Sequence, residues 1–176
     1  MLRGELVALR ARQDSDIPVL ETELHGDVLT WSRADNRPWR PLPSGSDDSP
    51  FRVTDPRADP AVFSVVELAS DELAGDAVLW GVDPHNRSAH LGMSLRPAFR
   101  GRGLSTDVVR QLCRYGFEVR GLHRLQVETL ADNEPMLRAA ARAGFSREGL
   151  RRQAGWVNGA FADEIILGQL APEWFS

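Results

Sequence analysis

Apolar and polar residues alternate with period two along three consecutive stretches, Ala61–Leu68, Glu72–Val82 and Ser88–Leu95, and this predicts three strands. Ala69-Ser70-Asp71 and Asp83-Pro84-His85-Asn86 are turn sequences between them, so the three are expected to form an antiparallel meander. In the third, Leu91, Met93 and Leu95 alternate with Gly92 and Ser94. Pro97, which lacks an N–H, ends the pairing. Spacing then changes to that of a helix, with Leu104, Val108, Val109, Leu112, Tyr115 and Val119 on one face, running to about Arg120.

Arg124–Leu130 is the next strand, joined to the previous one through the helix, an arrangement that suits parallel neighbours linked by a right-handed crossover. Asn133 is a favoured helix N-cap, with Pro135 tolerated in the first turn and Gly144 fitting the end. From Phe145 the chain turns extended, and Asn158-Gly159 predicts a hairpin whose second strand is Phe161–Leu170. On the N-terminal side, Leu6–Leu9 is a short strand candidate. Asp14 or Asp16 caps a helix carrying Ile17, Leu20 and Leu24, which breaks near Gly26 and resumes to about Arg33. Arg37–Pro60, rich in Pro, Ser and Asp, reads as a long surface loop. The order predicts a single-domain α/β sandwich, over residues 1–176, with a mixed, mostly antiparallel central sheet and flanking helices.

Between the third meander strand and its helix lies Arg100-Gly101-Arg102-Gly103, the stretch with the clearest chemistry. A helix start presents unpaired N–H groups and the positive end of the dipole. Glycines there let the backbone close around a phosphate or pyrophosphate. The loop is not a Walker phosphate loop, because no Gly-Lys-Ser/Thr follows, and it lacks the third glycine of the dinucleotide fingerprint. Taken alone, the same letters also describe an ordinary strand–helix connection with solvated arginines.

Composition narrows the class. The chain has 176 residues, 42% apolar and 26% charged, as an ordinary globular domain does. A net charge of −4 argues against nucleic acid or an anionic membrane as partner. One cysteine, Cys113, excludes an internal disulfide and a cysteine-based zinc site, and no metal is expected. No apolar run is long enough to span a bilayer and the N-terminus does not read as a signal peptide, so the expected location is cytoplasmic. Trp31 and Trp39 flank the start of the long loop; they line a substrate pocket or simply pack on the core.

The stretch LGMSLRPAFRGRGLS resembles the Arg/Gln-x-x-Gly-x-Gly/Ala signature of the GNAT superfamily of acetyl-CoA-dependent N-acetyltransferases, here Arg100-x-x-Gly103-x-Ser105. Ser105 departs from the usual Gly or Ala but is small. HRLQVETLADN, NEPMLRAAARAGF and FADEIILGQLAPEW follow in the family's order, and the whole is similar to the branch of the ribosomal-protein acetyltransferases RimJ and RimL. The resemblance implies a GNAT-type sheet with a splayed pair of parallel strands, and acetyl-CoA as cofactor in the gap. The backbone of Met93, Ser94 and Leu95 would bind the pantetheine arm. The amides of Gly101, Arg102, Gly103, Leu104 and Ser105 would hold the pyrophosphate, beside the side chains of Arg100 and Arg102. Asn133 would contact the arm, or act only as a cap.

The implied reaction is direct attack of a primary amine on the thioester, with CoA as product. The amine arrives protonated, so a base is required. His90 shares a strand face with Gly92 and Ser94 and has a suitable pKa range, while Glu67 and Glu128 are alternative strand carboxylates. Asp163 matches a final-strand aspartate with a structural or substrate-positioning role. Met136 stands where relatives carry a thiol-protonating Tyr or Ser, and it cannot donate a proton. The branch favours an N-terminal α-amine of a protein or peptide as acceptor. The alternatives are a small amine, such as an amino acid or aminoglycoside, and a regulatory module that binds acyl-CoA without turnover. A homodimer is compatible with the branch, and no residue pattern fixes it.

Overall fold

The computed structural model describes residues 1–53, 55 and 59–176. The loop expected over residues 37–60 therefore lies partly outside the described residues; where described, it contains no helix or strand. The N-terminal part consists of β1 (Leu2–Arg3), β2 (Val7–Ala11), α1 (Ile17–Leu20) and α2 (Val28–Ala34). The meander follows as β3 (Ala61–Glu67), β4 (Glu72–Asp83) and β5 (Ser88–Leu95). Then come α3 (Leu104–Arg114), β6 (Arg124–Leu130), α4 (Glu134–Arg142), β7 (Ser146–Val157), β8 (Ala160–Leu170) and α5 (Ala171–Trp174).

The eight strands form one sheet in the order β1-β2-β3-β4-β5-β6-β8-β7. All neighbours are antiparallel except β5 and β6, which are parallel, as expected for strands joined through a helix. Several features differ from the sequence expectation: the first long strand is Val7–Ala11 rather than Leu6–Leu9, and the first helix is regular only to Leu20, with Glu21–His25 in wider π-type turns. β1 was not anticipated, because two residues carry no periodicity. The long helix keeps regular α-geometry only to Arg114, and Tyr115–Val119 continue it as wider π-type turns. Gly116 accounts for the tight fit here: an added Cβ would sit 2.9 Å from the Leu125 methyls of β6.

The main core lies on one face of the sheet. Leu9, Val65, Ala77, Leu79, Leu91, Leu125 and Val127 from the strands pack there with Leu104, Val108, Leu112 and Phe117 of the long helix and Ala140 of α4. This is why the apolar positions alternate along the strands but recur on a helical stripe along α3. A second, smaller cluster of Leu20, Leu24, Trp31 and Phe51 is contributed by the α1–α2 region and the following loop. The outer positions of the central strands, Val78 and Trp80 of β4, His90, Gly92 and Ser94 of β5, and Gln126 and Glu128 of β6, alternate with the core positions and so belong to the other face.

Asp107 joins the start of α3 to the N-terminal strand. Its buried carboxylate accepts the N–H groups of Leu6 and Val7 at 2.7 and 2.9 Å. The Arg10 guanidinium is bound in the same way to buried Asp16, at 2.6 and 2.8 Å, and the Ser64 hydroxyl donates to Asp16 at 2.6 Å. Burial alone would raise the Asp16 pKa, but these bonds and the Gln13 N–H hold it down to about 2.

Candidate active site

β5 and β6 pair only over Ser88–Arg124, Ala89–Leu125 and His90–Gln126. Beyond those rungs β5 stays on β4 and β6 stays on β8, so Leu91–Leu95 and Val127–Leu130 separate. A parallel pair that parts company mid-sheet leaves an edge of backbone donors and acceptors on each side. An extended ligand with amide groups can use that edge as a third strand. Met93 faces the core and Ser94 the opposite side, so the backbone of Met93, Ser94 and Leu95 is what lies along the gap.

The glycine loop is at the open end of this gap. Gly101 and Gly103 have φ of +74° and +80°, in the left-handed region, and a Cβ added to either would meet nothing within 4 Å. Gly103 is the N-cap of α3 and has no side chain to satisfy the helix start. Among the described residues, no hydrogen bond to the protein uses the N–H of Gly101, Arg102 or Gly103. Leu104 and Ser105 open the first turn, whose N–H groups have no intrahelical acceptor. A row of free amides with open space before it and a helix dipole behind it suits a diphosphate.

The arginines around the loop are less free than the sequence suggests. Arg100 Nε donates to the Leu95 carbonyl at 2.9 Å, which fixes the loop to the end of β5. Arg102 Nη1 bonds to both Glu67 oxygens at 3.3 and 3.1 Å, and its guanidinium lies 4.8 Å from the Phe99 ring centroid. Arg96 stacks on the same ring and reaches Glu23 at 2.6 Å. Glu67 also accepts the Ser70 hydroxyl at 2.7 Å, and these bonds, Ser70 first and then Arg102, lower its pKa. Glu67 therefore belongs to the loop end of the sheet. It pairs with Glu72 at the far end of β4, eight residues along from Trp80, the partner of His90. At about 3.3 Å per residue this puts roughly 25 Å between them.

His90 and Glu128 do come together, at the closed end of the gap. His90 Nδ1 is 3.6 Å from Glu128 Oε1 and makes no hydrogen bond among the described residues, although it is buried. The imidazole stacks on Trp80 with centroids 4.5 Å apart and 20° between planes. Glu128 is oriented by Gln126 Nε2 at 2.7 Å and Arg151 Nη1 at 2.8 Å. This arrangement places an imidazole, a group able to accept a proton, beside a carboxylate.

The remaining expected site residues have mostly local partners. Trp31 is buried in the second apolar cluster and its indole N–H donates to the Arg37 carbonyl at 3.1 Å; that of Trp39 donates to the His25 carbonyl at 2.8 Å. Asn133 caps α4 through Met136 N–H at 3.5 Å and donates to Thr129 Oγ1 at 2.9 Å, so both ends of its amide are occupied. Asp163 accepts the Gln153 N–H at 2.8 Å, opposite the irregularity in β7 between Arg151 and Gly155. Cys113 is buried and desolvation pushes its thiol pKa up, which leaves it inert.

Trp80, Asp76 and Asp107 were not anticipated. Trp80 carries a legible signal, a large apolar residue on the polar phase of its strand. Asp107 carries another, an acid three residues after Leu104 on the apolar stripe. Asp76 pairs with Arg12, and burial raises its pKa against the lowering effect of that arginine.

The glycine loop, the parted parallel strands and the meander before them are the architecture of an acyl-transfer fold. The family profile described as acetyltransferase (GNAT) domain matches residues 7–146, and the chain belongs to that family. The probable N-acetyltransferase YjcK of Bacillus subtilis (strain 168) is 30% identical over 112 residues, 63% of this chain and 62% of that protein. The putative ribosomal N-acetyltransferase YdaF of the same organism is 33% identical over 107 residues, 61% of this chain and 58% of that protein. The chain thus spans about three fifths of the length of the curated relatives it matches. A crystal structure of spermidine N-acetyltransferase from Vibrio cholerae, in complex with CoA and spermine, superposes with a TM-score of 0.77, covering 97% of this chain and 99% of that one. At 18% identity that likeness shows the fold alone.

Proposed function

We propose that this protein transfers the acetyl group of acetyl-CoA to a primary amine, and that the amine is the N-terminal α-amine of a protein or peptide. The observation that carries the reading is the gap between β5 and β6, with free loop amides at one end and the His90–Glu128 pair at the other. Acetyl-CoA, when bound, supplies an activated acyl carbon. The amides of residues 101–105 hold its diphosphate, and the backbone of Met93, Ser94 and Leu95 holds its arm. Arg100, tied to the Leu95 carbonyl, joins these two contacts into one rigid unit.

At the closed end His90 accepts a proton from the incoming ammonium, directly or through a water, so that nitrogen can attack. The C–N bond forms as the C–S bond breaks, and the sulfur leaves with a proton from solvent or from His90. Met136 makes no contribution to that proton. Glu128 lies beside the imidazole, 3.6 Å from Nδ1, and the stack on Trp80 orients the ring.

Two features favour a peptide α-amine over a polyamine. YdaF is named a putative ribosomal N-acetyltransferase, and it is among the more similar relatives. Around His90 the carboxylates are already paired with arginine: Glu128 and Glu164 with Arg151, and Glu148 with Arg124. Among the described residues, these matched acids leave a second or third ammonium group less to bind. The spermidine N-acetyltransferase of Escherichia coli (strain K12), 29% identical over 94 residues, keeps the small-amine reading as the alternative to be tested.

The test is a mass-spectrometric turnover assay with acetyl-CoA and a panel of peptides, free amino acids, spermidine and aminoglycosides. Acetylation at peptide α-nitrogen is the expected result. Acetylation of the small amines alone would refute the peptide reading. CoA binding without any acetylated product would refute transferase activity and favour a binding module.

A further inference from the structure

The closed end of the gap has a shape and a lining that the proton-transfer role of His90 does not require. Trp80 is 40% exposed, although it lies mid-sheet and stacks on His90 across the β4–β5 ladder. Val78 is its neighbour on the same face, and Val78 pairs with Gly92. Gly92 occupies the next outward-facing position after His90. A Cβ built at Gly92 would meet only the Val78 Cγ1, at 3.7 Å, an ordinary contact, and its φ is not in the left-handed region. Neither backbone conformation nor crowding calls for glycine here. What its missing side chain leaves is open space beside Val78, on the sheet face that also carries Trp80 and His90.

Resting on the acetyltransferase reading above, we propose that Trp80, Val78 and the bare backbone at Gly92 form an acceptor pocket. It selects an amine whose adjacent carbon carries an apolar group, as a peptide beginning with leucine, methionine or phenylalanine does. An indole exposed beside the proton acceptor gives an apolar side chain a flat surface to cover, while the amine reaches His90. The same surface offers little to glycine, which has nothing to lay on it. Among the described residues, Glu128 and Glu164 beside His90 are paired with Arg151, so they do not call for a second ammonium group on the acceptor.

The experiment measures kcat/KM with acetyl-CoA for peptides of one sequence that differ only in the first residue, Leu, Met, Phe, Ala or Gly, with spermidine alongside. The wild type is expected to favour the large apolar residues over Gly by about tenfold or more, the scale of one or two methylenes in an apolar pocket. Trp80→Ala should reduce that preference through KM, and Trp80→Phe should restore most of it. Gly92→Ala is the second variant, since it leaves Trp80 and His90 in place and fits the strand. It should shift preference from Phe and Leu towards Ala. The acetyl-CoA dissociation constant, measured for each variant, reports that the fold and the loop are intact.

Equal loss for every acceptor in both variants, or a wild type that treats Gly and Leu peptides alike, would overturn the pocket while leaving the transferase reading standing. A wild type that prefers spermidine would also overturn it. Acetylation of no acceptor would overturn both.

Discussion

Gly103→Glu, set against Gly103→Ala, isolates the electrostatic part of the anion cradle. Both substitutions put a Cβ at a position with φ of +80° and nothing within 4 Å, so neither creates a clash and both carry the same backbone strain. That strain is about 1 kcal/mol, which for a domain of this size lowers Tm by about 2–4 °C. The alanine variant should keep CoA binding close to that of the wild type. The glutamate adds a negative charge beside the diphosphate. At roughly 5 Å and an effective dielectric constant of about 20 the repulsion is about 3 kcal/mol, or about a hundredfold in Kd. Calorimetric titration with CoA at two salt concentrations, with Tm as the control, reads both terms. The difference between Glu and Ala should shrink as salt rises, because the site is open to solvent and screening applies. Equal CoA affinity of the two variants, each folded, would refute the assignment of the loop as the diphosphate site.

Three further outcomes follow from the same geometry. His90→Gln should lower kcat by about 100-fold or more, with CoA affinity kept, and most strongly at low pH where free amine is scarce; a small loss uniform in pH would remove His90 from proton transfer. Glu67→Gln should leave the pH profile of turnover unchanged, because Glu67 is bound to Arg102 and Ser70 far from His90; loss of the acid limb would restore it as a candidate base. Asp16 has a folded pKa of about 2 against an ordinary 3.8, so its stabilisation is present above pH 4 and is lost as pH falls through 2. The shift corresponds to about 2 kcal/mol. Urea unfolding of wild type and Asp16→Asn should show a difference that shrinks between pH 5 and pH 2, and a pH-independent difference would refute the linkage.

Some of this was legible in the letters because it is local. Ser88–Leu95 and Arg124–Leu130 were read with the bounds they have, since strict alternation is bracketed by Asp-Pro-His-Asn, by Pro97 and by the acidic stretch before Asn133. The turn at Arg100-Gly101-Arg102-Gly103 and the helix start after it were legible for the same reason: glycine at a helix start is a short-range signal. The side-chain partners were not legible, because each depends on which strands become neighbours. Glu67 and Arg102 are 35 positions apart and meet only once β3 and the loop reach the same end of the sheet. His90 and Glu128 meet because β5 and β6 are parallel for three rungs and no more. Trp31 and Trp39 read either as pocket or as core residues; their indole N–H groups are taken up by the carbonyls of Arg37 and His25, and only the folded loop brings those into reach.

On the proposed reading, the arrangement of charge also explains how a chain with a net charge of −4 would bind a polyanionic cofactor. Of the three arginines around the loop, Arg96 is matched by Glu23 and Arg102 by Glu67, and Arg100 is turned onto a backbone carbonyl. A cluster of free guanidinium groups would attract any polyanion, nucleic acid included, and would weaken steeply with salt. Here the side-chain charge is largely internally balanced, and attraction falls to the loop amides and the α3 dipole. Those act only within about a helical turn and only on a group that fits between them. Asp107 matters to this design because it binds the first turns of α3 to the Leu6 and Val7 amides, so that the helix start cannot shift relative to the sheet. If the loop is the diphosphate site, its selectivity comes from backbone geometry held by buried side chains.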